Sequence, residues 1–365
     1  MKIIIEREKL IKPLQQISSL ISSRPIKPII GNILIEVNDK FLFLTATDLE
    51  IEMVTSIDIK SDQLGSITVP GRKFLEICRS LPKGSLINIE SKNNRMLISS
   101  GCSRFSLSTL SSENFPNLDD WHIEVEFNLL QSNLKNLIEL TKFSMGYQDI
   151  RHYLNGIMLE TSDKKIRAVA TDGHRLATCF IKIDYILPNY SVIVPRKGVV
   201  ELARLLNGEN TNLKIQIGSN NIRVYTKEIV FTSRLIDGSF PDYKKVLKNN
   251  YDKFLDIDCI LLKQALSRSA IISCEKFKGV RLNITKNQLK ITSNNSNNEE
   301  SEEILEIGYH GDELEICFNV FYVIDILNVL KCEEVRLSFI DSISRIHIED
   351  IKNPFASYIV MPIRI

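Results

Sequence analysis

The chain repeats itself. The stretch TATDLEIEMV at 45–54 matches VATDGHRLAT at 169–178, which sets Asp48 against Asp172, 124 positions apart. The offset recurs when ITVPGRKFLEICRSLPKG is laid on VIVPRKGVVELARLLNGE, placing Pro70 on Pro195, and again when Phe115-Pro116 is laid on Phe240-Pro241, both 125 apart. A third copy is fainter. LLKQALSRSAIISCEKFKGVRLNI echoes NLKNLIELTKFSMGYQDIRHYLNGIML, and CFNVFYVIDILNVLKC takes the place of the segment that follows Val-Pro. A repeat of this length is too long for a solenoid unit and right for a domain, so three domains are expected at 1–124, 125–252 and 253–365.

Each copy has the same internal grammar. A stretch with helical apolar spacing opens it, as in Leu134, Leu137, Ile138 and Thr141 or Leu262, Ala265, Leu266 and Ser269. Alternating runs such as KFLFLTAT, KIRAVAT and QLKITS then end at Asp, Asn or Gly, which marks strands and turns. A second helix is expected just after Val-Pro in the first two copies, with Gly84 or Gly208 near its end. More strands close the unit. The fold class is therefore α+β, two helices packed on antiparallel sheet, three times over.

Composition excludes several classes. With 44% hydrophobic and 25% charged residues the chain is no disordered polymer. No apolar run approaches the roughly 18 residues of a membrane span, and MKIII is cut short by EREK, which argues against a signal peptide and for the cytoplasm. Seven cysteines without a Cys-x-x-Cys pair, and five histidines scattered away from them, suggest reduced thiols and no metal or other cofactor.

Charge is more informative by segment than in total. The net charge is only +1, yet the helical segments 7–24, 71–84, 133–145, 196–204, 261–278 and 317–334 together carry +10, which leaves −9 elsewhere. Basic helices sharing one surface would attract a phosphate backbone without reading bases. Basic residues are also ordinary exposed helix formers, so one such helix alone proves little.

The segment AVATDGHRLATCF, at 168–180, carries Asp172, His174 and Arg175 within four residues. A hydrolase acting on phosphodiesters would need a nucleophile or metal beside them, and the sequence offers no third member. In the first copy Thr-Asp survives while the following residues become Leu49, Glu50, Ile51 and Glu52. Thr-Asp thus reads as a turn that caps a strand end. His174 alone fits a hydrogen-bonded core histidine as well as it fits a site.

With the repeats and basic helices in view, the whole chain resembles the bacterial DNA polymerase III β-subunit family, the sliding clamps. The resemblance rests on EREKLIKPLQQIS, TATDLEIEM, FPNLDDW, RHYLNGIMLE, ATDGHRLA, VPRKGVVEL, DGSFPDY and the ending YIVMPIRI, spread in order over all three copies. It implies a head-to-tail homodimeric ring whose helices line a hole for double-stranded DNA. It also implies a non-catalytic role, tethering the DNA polymerase III catalytic subunit, with a clamp loader as the consumer of ATP and with other polymerases, ligase and mismatch-repair proteins as further partners. No membrane is involved, and the expected place is the nucleoid.

The resemblance also implies sites. DNA contacts fall on Arg24, Arg72, Gln148, His152 and Tyr153. A cleft for short partner peptides is built from Leu154, Thr171, Gly173, His174, Arg175, Leu176, Pro241 and Val246, together with Ile343, Val360, Met361 and Pro362. The dimer contact sets Lys73, Arg95, Arg104, Phe105 and Leu107 of one subunit against Ile271, Ile272, Glu299, Glu300, Glu302 and Glu303 of the other. On composition alone the acidic run NNSNNEESEE reads as a solvated turn. His152 stands where the family would carry Tyr, Cys102 where it would carry a basic residue and Asn297 where it would carry an acidic one. Ion pairs across the contact would make the dimer weaker in high salt.

Geometry independently favours two copies. Two helices per domain, each about 10 Å wide, give three domains an opening of only about 9 Å, against about 28 Å for six. A duplex is about 20 Å across, so one copy cannot encircle it. The remaining alternative is a three-domain scaffold that assembles proteins without surrounding DNA.

Overall fold

The computed structural model of the chain describes residues 1–22, 24–61, 63–118, 121–248, 250–274 and 278–363. The first repeat supplies β1 (Lys2–Glu6), α1 (Arg7–Ile17), β2 (Asn32–Val37), β3 (Phe41–Thr47), β4 (Ile51–Asp58), β5 (Gly65–Pro70), α2 (Gly71–Ser80), β6 (Leu86–Lys92), β7 (Arg95–Ser100) and β8 (Ser103–Ser108). The second supplies β9 (Ile123–Leu130), α3 (Gln131–Glu139), β10 (Gly156–Thr171), β11 (Arg175–Pro195), α4 (Arg196–Leu205), β12 (Asn212–Gly218), β13 (Asn221–Tyr225), β14 (Ile229–Arg234) and the short α5 (Tyr243–Leu247). The third supplies β15 (Lys253–Asp258), α6 (Cys259–Ile272), β16 (Gly279–Thr285), β17 (Gln288–Asn294), β18 (Glu300–Glu306), β19 (Leu314–Asn319), α7 (Val320–Val329), β20 (Glu334–Phe339), β21 (Ile346–Glu349) and β22 (Ala356–Val360). The faint third copy has the same order as the first: strand, helix, four strands, helix, three strands. In the second copy the long β10 and β11 stand in for the four.

The helices form where spacing places them. Leu10, Leu14 and Ile17 of α1 are fully buried, as are Leu262, Ala265, Leu266 and Ser269 of α6. Leu134, Leu137 and Ile138 bury too, and Thr141, just past α3, donates its hydroxyl to the Leu137 carbonyl at 2.6 Å. Both α2 and α4 start directly after Val-Pro, where the proline ring fixes φ and lacks an N–H the first turn cannot use. Asn319 does that work in the third copy, its side chain accepting the Phe321 N–H at 3.0 Å. Gly84 and Gly208 hold φ of +76° and +84° in the loops beyond the helices rather than at their last turns.

The charged segments shrink once helix ends are known. α1 stops at Ile17, a single 3-10 turn follows, and Arg24 lies in the loop beyond. The observed helices carry +2 on each of α1, α2, α4, α5 and α6, 0 on α3 and −1 on α7. Glu275 and Lys276, counted with the segment 261–278, lie outside the described residues.

Contacts divide the described chain into two compact units, Met1–Ser132 with Val200–Leu235, and Asn133–Val199 with Ile236–Ile365. The second repeat is shared between them because the sheets run through repeat boundaries. In the first unit one sheet has the order β5-β2-β3-β4-β14-β13-β12-β9 and the other β1-β6-β7-β8. In the second the orders are β10-β11-β22-β21-β20-β15 and β18-β17-β16-β19. Antiparallel pairing of β4 with β14, from Ile51↔Ser233 to Thr55↔Ile229, joins the first repeat to the second. Pairing of β11 with β22, from Arg175↔Val360 to Cys179↔Ala356, joins the second to the third. By position in the repeat β4, β11 and β18 are equivalent, and so are β8, β14 and β22. β8 and β18 each end a sheet.

Arg7 shows how position changes the meaning of a charge. Its Nε donates to the Cys78 carbonyl at 2.9 Å and its Nη2 to the Arg79 carbonyl at 3.1 Å, capping the C-terminal end of α2. Arg7→Met is expected to lower unfolding stability by about 1–3 kcal/mol, read as a lower thermal midpoint, since it strips two acceptors of a charged donor.

Candidate functional site

The Thr-Asp frame builds one turn twice. In the second repeat the Thr171 hydroxyl donates to the Arg175 carbonyl at 2.6 Å and accepts the Gly173 N–H at 3.1 Å, while Asp172 Oδ1 accepts the N–H groups of His174 and Arg175 at 2.9 and 3.0 Å. In the first repeat Thr47 and Asp48 make the same four bonds, to Ile51, Leu49, Glu50 and Ile51, at 2.8, 3.1, 2.9 and 2.8 Å. The turn needs a left-handed residue after Asp. Gly173 takes it at φ +90°, and Leu49 is forced into it at +79°.

What the second copy adds is a bolt. Arg175, with its side chain 12% exposed, reaches Asp172 Oδ2 at 3.1 Å, Asp325 Oδ2 on α7 at 2.6 Å and the Phe143 carbonyl at 2.6 Å. Its guanidinium lies over the rings of Tyr322 and Phe143, 4.7 and 5.3 Å from their centroids. His174 is exposed, not a core histidine, and its ring stacks against Tyr322 with centroids 6.5 Å apart. The Asp172–Arg175 pair therefore fixes a loop. Among the described residues no cluster of three His, Cys, Asp or Glu side chains could hold a metal.

Beside this turn opens an apolar cleft of about 210 Å³. Leu154, Thr171, Gly173, His174, Arg175, Leu176, Pro241, Val246 and Met361, all of which the resemblance implies for a peptide cleft, line this cavity. Three expected residues do not. Val360 is fully buried, and strand alternation puts its neighbour Ile359 on the cleft side of β22 instead. Ile343 is 66% exposed, and neither it nor Pro362 borders the cavity. Arg151, Tyr153 and Tyr243 join the wall, none of them expected there. Tyr153, assigned to DNA, packs against the cluster of Met158, Val169, Leu176, Ile193, Tyr243 and Ile359 beneath the cleft. A larger hollow of about 740 Å³ lies over β16, β17 and β18, with Arg281, Lys290, Glu300 and Glu302 in its wall and Lys290 paired with Glu302 at 2.7 Å.

The loop around Gln148 and His152 is built rather than loose. Asp149 binds Arg151 through its N–H, Nε and Nη2 at 2.8, 3.0 and 2.9 Å, and Asn155 closes the loop with bonds of 3.0 and 2.8 Å to the Asp149 backbone. The Arg151 side chain, followed by its backbone N–H, holds the Asp149 carboxyl down at about 2. Gln148, at φ +53°, and His152 are exposed, and so is Tyr147, with Arg196 5.4 Å from its ring centroid. Arg24 is exposed, whereas Arg72 spends Nε and Nη2 on the Ile21 carbonyl at 3.2 and 3.1 Å.

The acidic run is a strand from Glu300 onward, not a solvated turn, because Ser301, Glu303 and Leu305 face inward in alternation along β18. Glu303 already pairs with Arg268 through two bonds of 2.7 Å, and Glu302 with Lys290 at 2.7 Å. Glu299 lies in the preceding turn, bonded to Asn295. Apolar groups are exposed here as well: Ile271 at 79% and Ile304, which sequence reasoning missed, at 53%. Ile272 is half-buried. On the other edge Phe105 and Leu107 of β8 are half-buried between exposed polar neighbours, Arg104 Nη1 binds the Gly101 and Ser103 carbonyls, and Arg95 Nε donates to Ser106 at 2.7 Å. Lys73, on α2, is exposed.

Comparison with known proteins agrees with this architecture. Residues 1–119, 128–242 and 244–364 match the N-terminal, central and C-terminal domains of the DNA polymerase III beta subunit. The chain belongs to that family. It is 56% identical to the beta sliding clamp of Escherichia coli K12 over 366 residues and 46% identical to that of Vibrio cholerae, each covering both chains completely. The solved DNA polymerase III subunit beta of Pseudomonas aeruginosa superposes with a TM-score of 0.98 at 43% identity, and that of Caulobacter crescentus with 0.94 at 32%, again over both whole chains. As a sliding clamp of this family the chain is a non-catalytic processivity factor of DNA replication, with DNA, polymerase and a second copy of itself as its partners.

Gly173→Ala is expected to destabilise the chain by about 1–2 kcal/mol, because a Cβ there would sit in a strained backbone region. It would also stand 3.0 Å from Arg151 Nη2. A lowered thermal midpoint checks it.

Proposed function

We propose that two copies close a head-to-tail ring by pairing β8 of one with β18 of the other, and that the ring slides on duplex DNA while its clefts hold partner peptides. The unmatched edges carry this reading. Pairing of β4 with β14 and of β11 with β22 uses equivalent strands of successive repeats, which leaves β18 of the third repeat and β8 of the first as the one pair still to be made. Exposed edges of this kind invite pairing with another chain. The three repeats at 1–124, 125–252 and 253–365 are taken as the domains of each protomer.

Across that contact Arg104, Arg95 and Lys73 would meet the acidic β18, and Phe105 and Leu107 would meet Ile271, Ile272 and Ile304. Since Glu302 and Glu303 are already neutralised within the chain, main-chain bonds and apolar contact should carry more of the dimer than ion pairs do. Arg24, Arg72, Gln148 and His152 supply sequence-neutral contacts to DNA, and weak phosphate attraction is compatible with sliding. Topology then does what affinity does not. A polymerase tethered to a closed ring stays at high effective concentration near the primer end.

The cleft would take short peptides from the polymerase, the clamp loader, other polymerases, ligase and mismatch-repair proteins, in the cytoplasm and with ATP consumed by the loader. Met361, half-exposed and unbranched, can repack for different apolar anchors. Replacing Met361 and Leu176 together by Ala should abolish binding of fluorescein-labelled partner peptides in anisotropy titrations while the dimer persists. Unchanged affinity would remove the cleft from the account.

Ring closure is tested by loading the protein onto nicked circular plasmid with a cognate loader and ATP, then cutting the circle. Retention on the circle followed by loss from the linear form is expected. Equal retention on both would mean ordinary binding, and no retention on either with an active loader would favour a scaffold.

A further inference from the structure

Behind the cleft wall lies a charged group that the peptide reading does not use. Tyr243 is 4% exposed, its ring borders the cleft, and its hydroxyl donates to Glu160 Oε2 at 2.5 Å. Glu160 stands on β10 with its side chain 19% exposed, and its other oxygen accepts Lys244 Nζ at 2.8 Å. Arg167, seven residues further along the bulged β10, stands 3.9 Å from Oε2 and lies over the rings of Phe180 and Tyr243 at 5.0 and 6.0 Å. Burial alone would push the Glu160 carboxyl up, but the bonds from Lys244 and Tyr243 outweigh it and hold the group below its ordinary value. It is an anion at neutral pH.

The element it grips needs gripping. Helix α5 has only five residues, and its N-cap Asp242 makes no side-chain cap bond. A helix that short does not stand alone. Its own side chains give little burial beyond Tyr243, since Val246 and Leu247 are only partly covered. Arg345 Nη2 reaches the Lys245 carbonyl at 3.2 Å, and Lys245 pairs with Asp242 at the surface. Against these exposed contacts, one half-enclosed carboxylate holding two successive residues of α5 is the stronger tether.

We propose that Glu160 is a positioning residue for the cleft: by binding the Tyr243 hydroxyl and the Lys244 ammonium it fixes α5, and with it the wall formed by Pro241, Tyr243 and Val246. Glu160 touches no ligand in this scheme. The proposal rests on the cleft being the peptide site, and it adds that affinity there depends on a carboxylate on the opposite face of the wall.

The test uses the full-length dimer and, as probe, the tightest-binding member of a fluorescein-labelled peptide set spanning the cognate polymerase catalytic subunit. Glu160→Gln and Tyr243→Phe should each raise Kd by about five- to tenfold, and the double variant should be little worse than either, because both remove one interaction. Amide exchange should accelerate in 241–248 and stay unchanged elsewhere. A lowered thermal midpoint with Kd within twofold of the parent and unchanged exchange at 241–248 would overturn the proposal, since a merely structural contact predicts that pattern. Should Tyr243→Phe fail to fold, Lys244→Met, at a side chain 61% exposed, tests the same tether and should weaken binding about two- to threefold. If the parent binds no peptide at all, the cleft reading fails, and the exchange measurement still decides whether Glu160 holds α5.

Discussion

Main-chain hydrogen bonding across strand edges is the constraint on which the rest of the molecule depends. An edge strand presents N–H and C=O groups that must find partners, and this chain satisfies two such edges internally, through β4 with β14 and β11 with β22. Sheet continuity turns three repeats into two compact units and cuts the second repeat between them. It also dictates what is left over. A repeat protein with one edge of each of these two kinds unspent has a built-in preference for a head-to-tail partner, and pairing β8 with β18 would use up that remaining pair.

The same join makes the cleft. Arg175 begins β11, pairs with Val360 of β22, and sends its side chain to Asp325 on α7, so a turn of the second repeat is fixed by the third. Ile359 and Met361 approach that turn from the third repeat, and α5 closes it from the other side. A cleft at such a seam inherits its rigidity from the sheet. Its lining is mostly apolar, and its backbone turn, locked by Thr171 and Asp172, gives it shape.

Much of this was legible in the sequence. The repeat offset located equivalent strands, and apolar spacing named the buried faces of α3 and α6 because a helix period needs no knowledge of partners. The errors came where a partner decides. Val360 and Ile359 are equally apolar, and only the register of β22 says which faces the cleft. Sequence cannot show that Arg7 and Arg72, which keep their charge, also brace the fold by donating to the carbonyls of Cys78, Arg79 and Ile21. The acidic run read as a turn because its composition is polar, yet pairing with β17 makes it a strand. Tyr243 was invisible as a site residue, since its value lies in Glu160, 83 residues away.

The most direct test of edge closure is sedimentation equilibrium at micromolar concentration, comparing the parent chain with the variant Ile271→Asp, Ile304→Asp, whose exposed side chains are not needed for the protomer's own core. The account predicts a parent of twice the 41.7 kDa chain mass and a variant at the chain mass itself, with unchanged circular dichroism. A parent that sediments as a monomer, or a variant that remains a dimer of equal strength, would contradict it.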